Sequence, residues 1–373
     1  MLRRLLKFFR TRRAGTWAHT PIISIELKQA ALLHNVQELQ KLAPELTIAP
    51  VLKSNAYGHG LTHIAEILDQ EPSIPFFCID SYYEAQLLRN HGVRKPLLIV
   101  GYSPTATILK NALPHISFVI GSLTQLEELW KGRSHALLHV KFDTGMHRQG
   151  IVFEERDEAH AFLTKLNIQG ILSHLADAET PGSKITNAQI QKWNTIAEQF
   201  DVPYKHLSNS AGLAHTDRIH ATTFRVGKAL YGFNPGNLNR ELKPVLSLHS
   251  TITELRTVTA GEAVGYNGTF ITTRATRIAT IPVGYFEGLD KRLRNRGYVK
   301  IGEQFAPLIG KVSMNISLVD VTDLPEVTVG TRTTLISDRA EDLNSIKTIA
   351  QTCETIPSDI LVHIPAHLRR TVV

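Results

Sequence analysis

The chain is poor in cysteine, with only Cys78 and Cys353 in 373 residues. That excludes a disulfide framework and a cysteine metal cluster, and it fits a reducing compartment such as the cytoplasm. No apolar run approaches the roughly 20 residues that span a bilayer. No Gly-x-Gly-x-x-Gly follows a candidate strand, which speaks against a dinucleotide-binding open sheet. A broad charge of one sign is missing too. The formal net charge is +7, but Arg3, Arg4, Lys7, Arg10, Arg12 and Arg13 all fall before Trp17 without one acid among them. The remainder is nearly neutral and offers no basic face to a nucleic-acid backbone. The leader, residues 1–20, reads as a flexible basic tail, with an amphipathic helix on an acidic membrane surface as the competing reading.

What is present is an alternation. Ile23–Leu27, Ile48–Leu52, Phe76–Ile79, Pro96–Val100, Ser117–Ile120, Ala136–Phe142, Gln169–Ser173 and Tyr204–Leu207 read as strands. Gln29–Leu42, Tyr82–Asn90, Leu123–Lys131, Arg156–Leu166 and Thr186–Phe200 read as the helices between them. Roughly eight such repeats in about 220 residues indicate a (β/α)8 barrel, here over residues 21–244. After Pro244 the chain turns β-branched and turn-punctuated, the pattern of a mostly-β domain over residues 245–373.

In a barrel, chemistry gathers at the C-terminal ends of the strands. The conspicuous polar residues fall there. Lys53 ends one apolar run in VLKSNAYGHG (Val51–Gly60), Lys141, Asp143 and Arg148 end another in HVKFDTGMHRQG, and His174 ends a third in GILSHLADAE. A lysine at such a strand end is partly desolvated, which lowers an amine's pKa and favours its nucleophilic form. Taken singly, each string is equally a solvated turn. HLSNSAG and FRVGKALYG carry small residues and glycines that let backbone N–H groups approach a phosphate. GEAVGYNGTF sets Tyr266 between glycines in the β domain.

These strings occur in the order, and over nearly the whole length, that resembles the alanine racemases, a pyridoxal-phosphate-dependent family. The resemblance makes Lys53 the cofactor-bearing lysine. It gives Tyr57, Asn209, Ser210, the backbone near Gly227 and Tyr285 to the phosphate side. It sets His174 beside the pyridine ring and Arg225 at the ring nitrogen. Arg148 would serve the substrate end, and Met314 would meet the substrate carboxylate across a dimer interface. Lys141 holds the position that some members carbamylate. Arg225 is informative, because an arginine donates a hydrogen bond to the ring nitrogen without protonating it, so the ring withdraws fewer electrons than one facing an acid. That suits proton removal and return.

Racemisation needs acid–base groups on both faces of the α-carbon. The family supplies the second from the neighbouring subunit, so a homodimer with shared sites is implied, with Tyr266 opposite Lys53. A free tyrosine, with a pKa near about 10, needs cationic neighbours to act as a base. D-alanine for peptidoglycan is the implied product. Departures from the pattern are Ser54, Lys228, and Ser313 and Asn315 on either side of Met314; the last two bear on the size of the substrate side chain. Competing readings are a non-catalytic cofactor carrier, a barrel decarboxylase of basic amino acids, and a racemase acting on serine or a broader set.

Overall fold

Eight short parallel strands close on themselves in the computed structural model, which describes residues 21–373 apart from 208, 236 and 237. The basic leader lies outside the described residues. The strands are Thr47–Pro50, Phe77–Ile79, Leu97–Ile99, Ile116–Ile120, Leu137–Asp143, Ile168–Leu172, Tyr204–His206 and Thr223–Val226. From the second to the seventh, neighbours pair in parallel. The eighth pairs with the first, Arg225 opposite Ala49. A bridge between Val51 and Cys78 and a 2.9 Å bond from the Thr222 N–H to the Lys205 carbonyl complete the ring.

Side chains alternate across each strand. In Leu137–Asp143, Leu138, Val140 and Phe142 face outward into the main core with helix residues such as Leu126, Leu129 and Trp193. The intervening His139 and Lys141 face the barrel interior, where Ala49, Phe76, Cys78, Leu98, Val119 and Leu172 form a small separate cluster. The helices follow the apolar spacing. Lys184–Gln199 buries Ile190, Trp193, Ile196 and Ala197 on one face, and Ser183 caps its start by accepting the Thr186 N–H.

The second unit is a nine-stranded sheet. Its order is Glu254–Val258, Thr276–Ile281, Ser317–Asp320, Gln304–Ile309, Tyr298–Ile301, Arg332–Ile336, Leu246–Thr251, Ser24–Leu27 and Arg370–Val372. Two short helices, Ile346–Thr352 and Pro357–Val362, contribute Ile346, Ile349, Ile360 and Leu361 to its core.

The expected boundary at residue 21 is therefore corrected. Ser24–Leu27 is not a barrel strand but pairs antiparallel with Leu246–Thr251 and parallel with Arg370–Val372. Its alternation explains why: Ile25 and Leu27 are buried while Ser24 and Glu26 are partly exposed, the pattern of a sheet with one covered face. Thr223–Val226, buried at every position, takes the eighth place in the barrel, as a strand covered on both sides must. No described helix is long and apolar enough to cross a membrane.

Candidate active site

A cavity of about 600 Å³ opens at the C-terminal mouth of the barrel. Lys53, Tyr57, Lys141, Arg148, His174, Asn209, Ser210, Arg225 and Gly227 all line it. The first barrel strand delivers Lys53 into an unusual turn. Ser54, Asn55, Ala56 and Tyr57 have φ of 56°, 55°, 52° and 53°, one full left-handed turn where a plain Gly-rich loop was expected. Each non-glycine residue in that conformation costs about 1–2 kcal/mol. The turn ends on Gly58, itself at φ 82°. Asn55 Oδ1 accepts the Leu61 N–H at 2.9 Å and so ties the turn to the following helix, Leu61–Leu68.

Arg225 rises from the floor on the eighth strand and is 6% exposed. Its Nη1 donates to His206 Nδ1 at 2.8 Å and its Nη2 to the Ser173 carbonyl at 2.6 Å. Nη2 also lies 3.3 Å from His174 Nδ1. None of these acceptors is a carboxylate. Burial pushes the guanidinium down to about 10, so it remains a cation at neutral pH. Burial first, and Arg225 second, push His174 and His139 down to about 3 and hold His206 well below the ordinary range. All three imidazoles are neutral. With its Nδ1 accepting from Arg225, His206 carries its proton on Nε2 and donates to His139 Nδ1, 2.9 Å away.

A cluster of hydroxyl and backbone N–H groups lies beside this column. Ser210 Oγ accepts the N–H groups of Gly227 and Ala229 at 3.2 and 3.3 Å. A Cβ on residue 227 would stand 2.5 Å from the Tyr57 hydroxyl oxygen, so any side chain there would force the Tyr57 ring to shift. Burial pushes the Tyr57 phenol up to about 12, which keeps it a hydrogen-bond donor. Asn209 Oδ1 accepts the Gly212 N–H and braces the loop. At the rim Lys228 meets Glu179 at 3.2 Å, so this departure from the family pattern has a local partner.

On the opposite wall Asp143 Oδ1 gathers the N–H groups of Gly145, Met146 and His147 and shapes the turn that presents Arg148. Lys141 Nζ donates to Gln149 Oε1 at 3.2 Å. Burial, then Arg148 and Arg225, push its ammonium down to about 8. A lysine that titrates there supplies the free amine that carbamylation requires.

Three expected residues are not in this cavity. Tyr266, Tyr285 and Met314 sit on the β domain and are 68%, 40% and 56% exposed. They belong to one structural neighbourhood. The Tyr285 N–H bonds to the Ser313 carbonyl and the Phe286 N–H to that of Met314, while Gly265, preceding Tyr266, lies against Gly310 and Lys311. Tyr285 instead borders a small groove with Lys291 Nζ 5.1 Å from its ring, and within one chain it does not line the barrel-mouth cavity. Asn315 donates to buried Glu287 at 2.7 Å, so this substitution beside Met314 is absorbed within the domain.

Sequence reasoning missed His139 and His206. Strand parity was the available signal, because His139 is two residues before Lys141 and must share its face.

The cavity fits a phosphorylated aldehyde cofactor: an amine at one side, a cradle of backbone and hydroxyl groups, and a buried cation with no acid of its own. Comparison with known proteins agrees. Residues 27–235 match the family model described as alanine racemase, N-terminal domain, and residues 245–372 match alanine racemase, C-terminal domain. The chain is 31% identical to alanine racemase 1 of Caldanaerobacter subterraneus over 93% of each chain. Among solved structures, the alanine racemase of Clostridium difficile superposes with a TM-score of 0.88 at 25% identity, covering 95% of this chain and 96% of that one. The Bartonella henselae alanine racemase, solved with covalently bound pyridoxal phosphate, gives 0.86 at 25% identity, covering 95% and 100%. On its fold, its cavity and these likenesses, the chain belongs to the alanine racemase family.

Proposed function

We propose that this chain interconverts L-alanine and D-alanine with pyridoxal phosphate in the barrel mouth, using Lys53 on one face of the substrate and Tyr266 of the partner subunit on the other. The observation that carries the reading is the division of the expected residues. Lys53 lines the cavity, while Tyr266 is exposed on the β domain and is not among the residues that line it. A homodimer with shared sites brings the two halves together.

When bound, the cofactor withdraws electrons from the substrate's α-carbon and acidifies its C–H bond. Tyr57, Ser210 and the backbone at Gly227 hold the phosphate, with Asn209 bracing their loop. Arg225 donates to the ring nitrogen and His174 keeps that guanidinium aligned. Arg148 binds at the substrate end, together with Met314 of the partner subunit. Tyr285 of the partner subunit reaches the same mouth. Tyr266 of the partner subunit takes the α-proton of the L-isomer and the Lys53 amine returns one to the other face; the D-isomer uses the same groups in reverse. Cytoplasmic residence and D-alanine supply for peptidoglycan complete the reading.

Arg225 disfavours the decarboxylase, which calls for an acid at the ring nitrogen. A carrier needs no second base. Tyr266→Phe tests the reading in heavy water. The variant should keep the bound cofactor's visible colour and lose turnover by about 10²–10⁴-fold, the usual contribution of one general acid–base group. Near-normal exchange of the α-hydrogen with inversion would refute it. Running serine beside alanine measures the breadth of the site.

A further inference from the structure

The turn that carries Lys53 is held partly from within, by the Ala56 N–H on the Leu52 carbonyl at 2.8 Å and the Gly60 N–H on the Asn55 carbonyl at 2.9 Å, and partly from outside. Four consecutive non-glycine residues are left-handed, and no side chain caps the turn at Leu52. Two charged side chains from distant elements grip its ends. At the start, Glu84 on the helix Tyr82–His91 accepts the Ser54 N–H on Oε1 at 2.9 Å and the Asp80 N–H on Oε2 at 2.7 Å. One carboxylate thus ties the residue after Lys53 to the end of the second barrel strand. At the far end, Arg370 on the last strand of the β domain donates to the Gly58 carbonyl from Nη2 at 2.7 Å and from Nε at 3.3 Å. Arg370 is 8% exposed, and its Nη1 is held by the carbonyls of Pro365, Ala366 and Leu368.

We propose that Glu84 and Arg370 are positioning residues for Lys53, clamping a strained turn so that the amine faces the barrel cavity. The inference rests on Lys53 being the cofactor lysine. The Ser54 N–H belongs to the peptide unit that follows Lys53, so releasing it frees the Lys53 ψ angle. A turn left unclamped relaxes toward the right-handed or extended regions that its residues prefer. A displacement of about 1 Å at a reacting group is enough to cost roughly 10²-fold in rate. Because Arg370 comes from the second unit, the β domain sets the presentation of a barrel residue.

The test uses the holoenzyme and four variants: Glu84→Ala, Glu84→Gln, Arg370→Met and Arg370→Lys. The readouts are kcat and KM for alanine, the visible circular dichroism of the bound cofactor, and the thermal midpoint. Glu84→Ala and Arg370→Met should lower kcat by about 10-fold or more with KM changed less than about 3-fold, as expected when reacting groups are misplaced rather than binding weakened. The visible dichroism should weaken in parallel, and Glu84→Gln, which keeps one acceptor, should recover part of both. Unchanged kcat and dichroism overturn the proposal. So does a kcat loss with unchanged dichroism, which would mean destabilisation only. If the Ala and Met variants fail to fold, the Gln and Lys variants decide by the same criteria. Borohydride reduction and peptide mapping of the wild type keep the two readings apart. A label away from Lys53 defeats the proposed function, whereas a label on Lys53 with indifferent variants defeats only the clamp.

Discussion

Gly58→Ala should destabilise the protein markedly, because two separate costs meet at this buried position. The first is conformational. Gly58 has φ +82°, and a left-handed L-residue costs about 1–2 kcal/mol. The second is steric. A Cβ would fall on the Leu361 carbonyl oxygen and lie 2.7 Å from its carbon, so the helix Pro357–Val362 must move. Overpacking of that kind costs about 1–3 kcal/mol. The expected loss is about 2–5 kcal/mol when both are taken together. Gly92→Ala is the control, since its φ is +99° but a Cβ there meets nothing within 4 Å. It should lose only the conformational part, about 1–2 kcal/mol. Urea unfolding followed by far-UV circular dichroism, at fixed cofactor concentration, measures both. Equal losses in the two variants, or a Gly58→Ala within about 0.5 kcal/mol of the wild type, would refute the steric part of the reasoning and with it the tight docking of the β domain on the Lys53 turn.

The Lys141 ammonium is pushed down to about 8 from 10.5, so between those values the unfolded chain binds the proton that the folded chain does not. Its effect therefore makes stability rise with pH across that window. The unfolding free energy of the wild type minus that of Lys141→Met should climb from pH 8 to 10.5, and a flat or falling difference contradicts the assignment. Arg225→Met strands the Ser173 carbonyl and His206 Nδ1, at about 1–3 kcal/mol for each unsatisfied acceptor, partly offset by removal of a buried cation. The same change should raise the His206 pKa while burial still holds it below 6.5. Nitrogen-15 NMR of the imidazole reads that shift, and an unmoved His206 would break the link.

The alternation of short apolar runs and helical stretches made a barrel legible, and the count of eight was right while its membership was not. Ile23–Leu27 has the strand composition that was recognised, but sequence alone does not say which sheet a strand joins. Its partners, Leu246–Thr251 and Arg370–Val372, lie more than 200 residues away. Thr223–Val226 is hidden in the sequence because it is only four residues long and runs directly into Gly227 and the turn that follows. The cavity-lining side chains were legible because each ends a strand in a distinctive string. Glu84 and Arg370 were not, because their partners are backbone groups of a left-handed turn, and nothing in the composition of that turn announces its handedness.

The charge of the cavity narrows what it can do. Lys53, Lys141, Arg148, Arg225 and Lys228 line it against only Asp80 and Glu179, and Glu179 is already engaged by Lys228. Three neutral imidazoles, His139, His174 and His206, surround Arg225 without adding or removing charge. Such a site draws anions, which suits a phosphate and a substrate carboxylate together. It also fixes the electronic setting. Arg225 sends its described hydrogen bonds to carbonyls and imidazoles, stays a cation because burial lowers it only to about 10, and can donate to a ring nitrogen without surrendering a proton to it. A carboxylic acid in that place would protonate the nitrogen and deepen the electron withdrawal, opening routes beyond proton exchange. In the proposed function the neutral histidines beside Arg225 would contribute to selectivity, since an acid at either His174 or His206 would pair with the guanidinium and pull it from the ring.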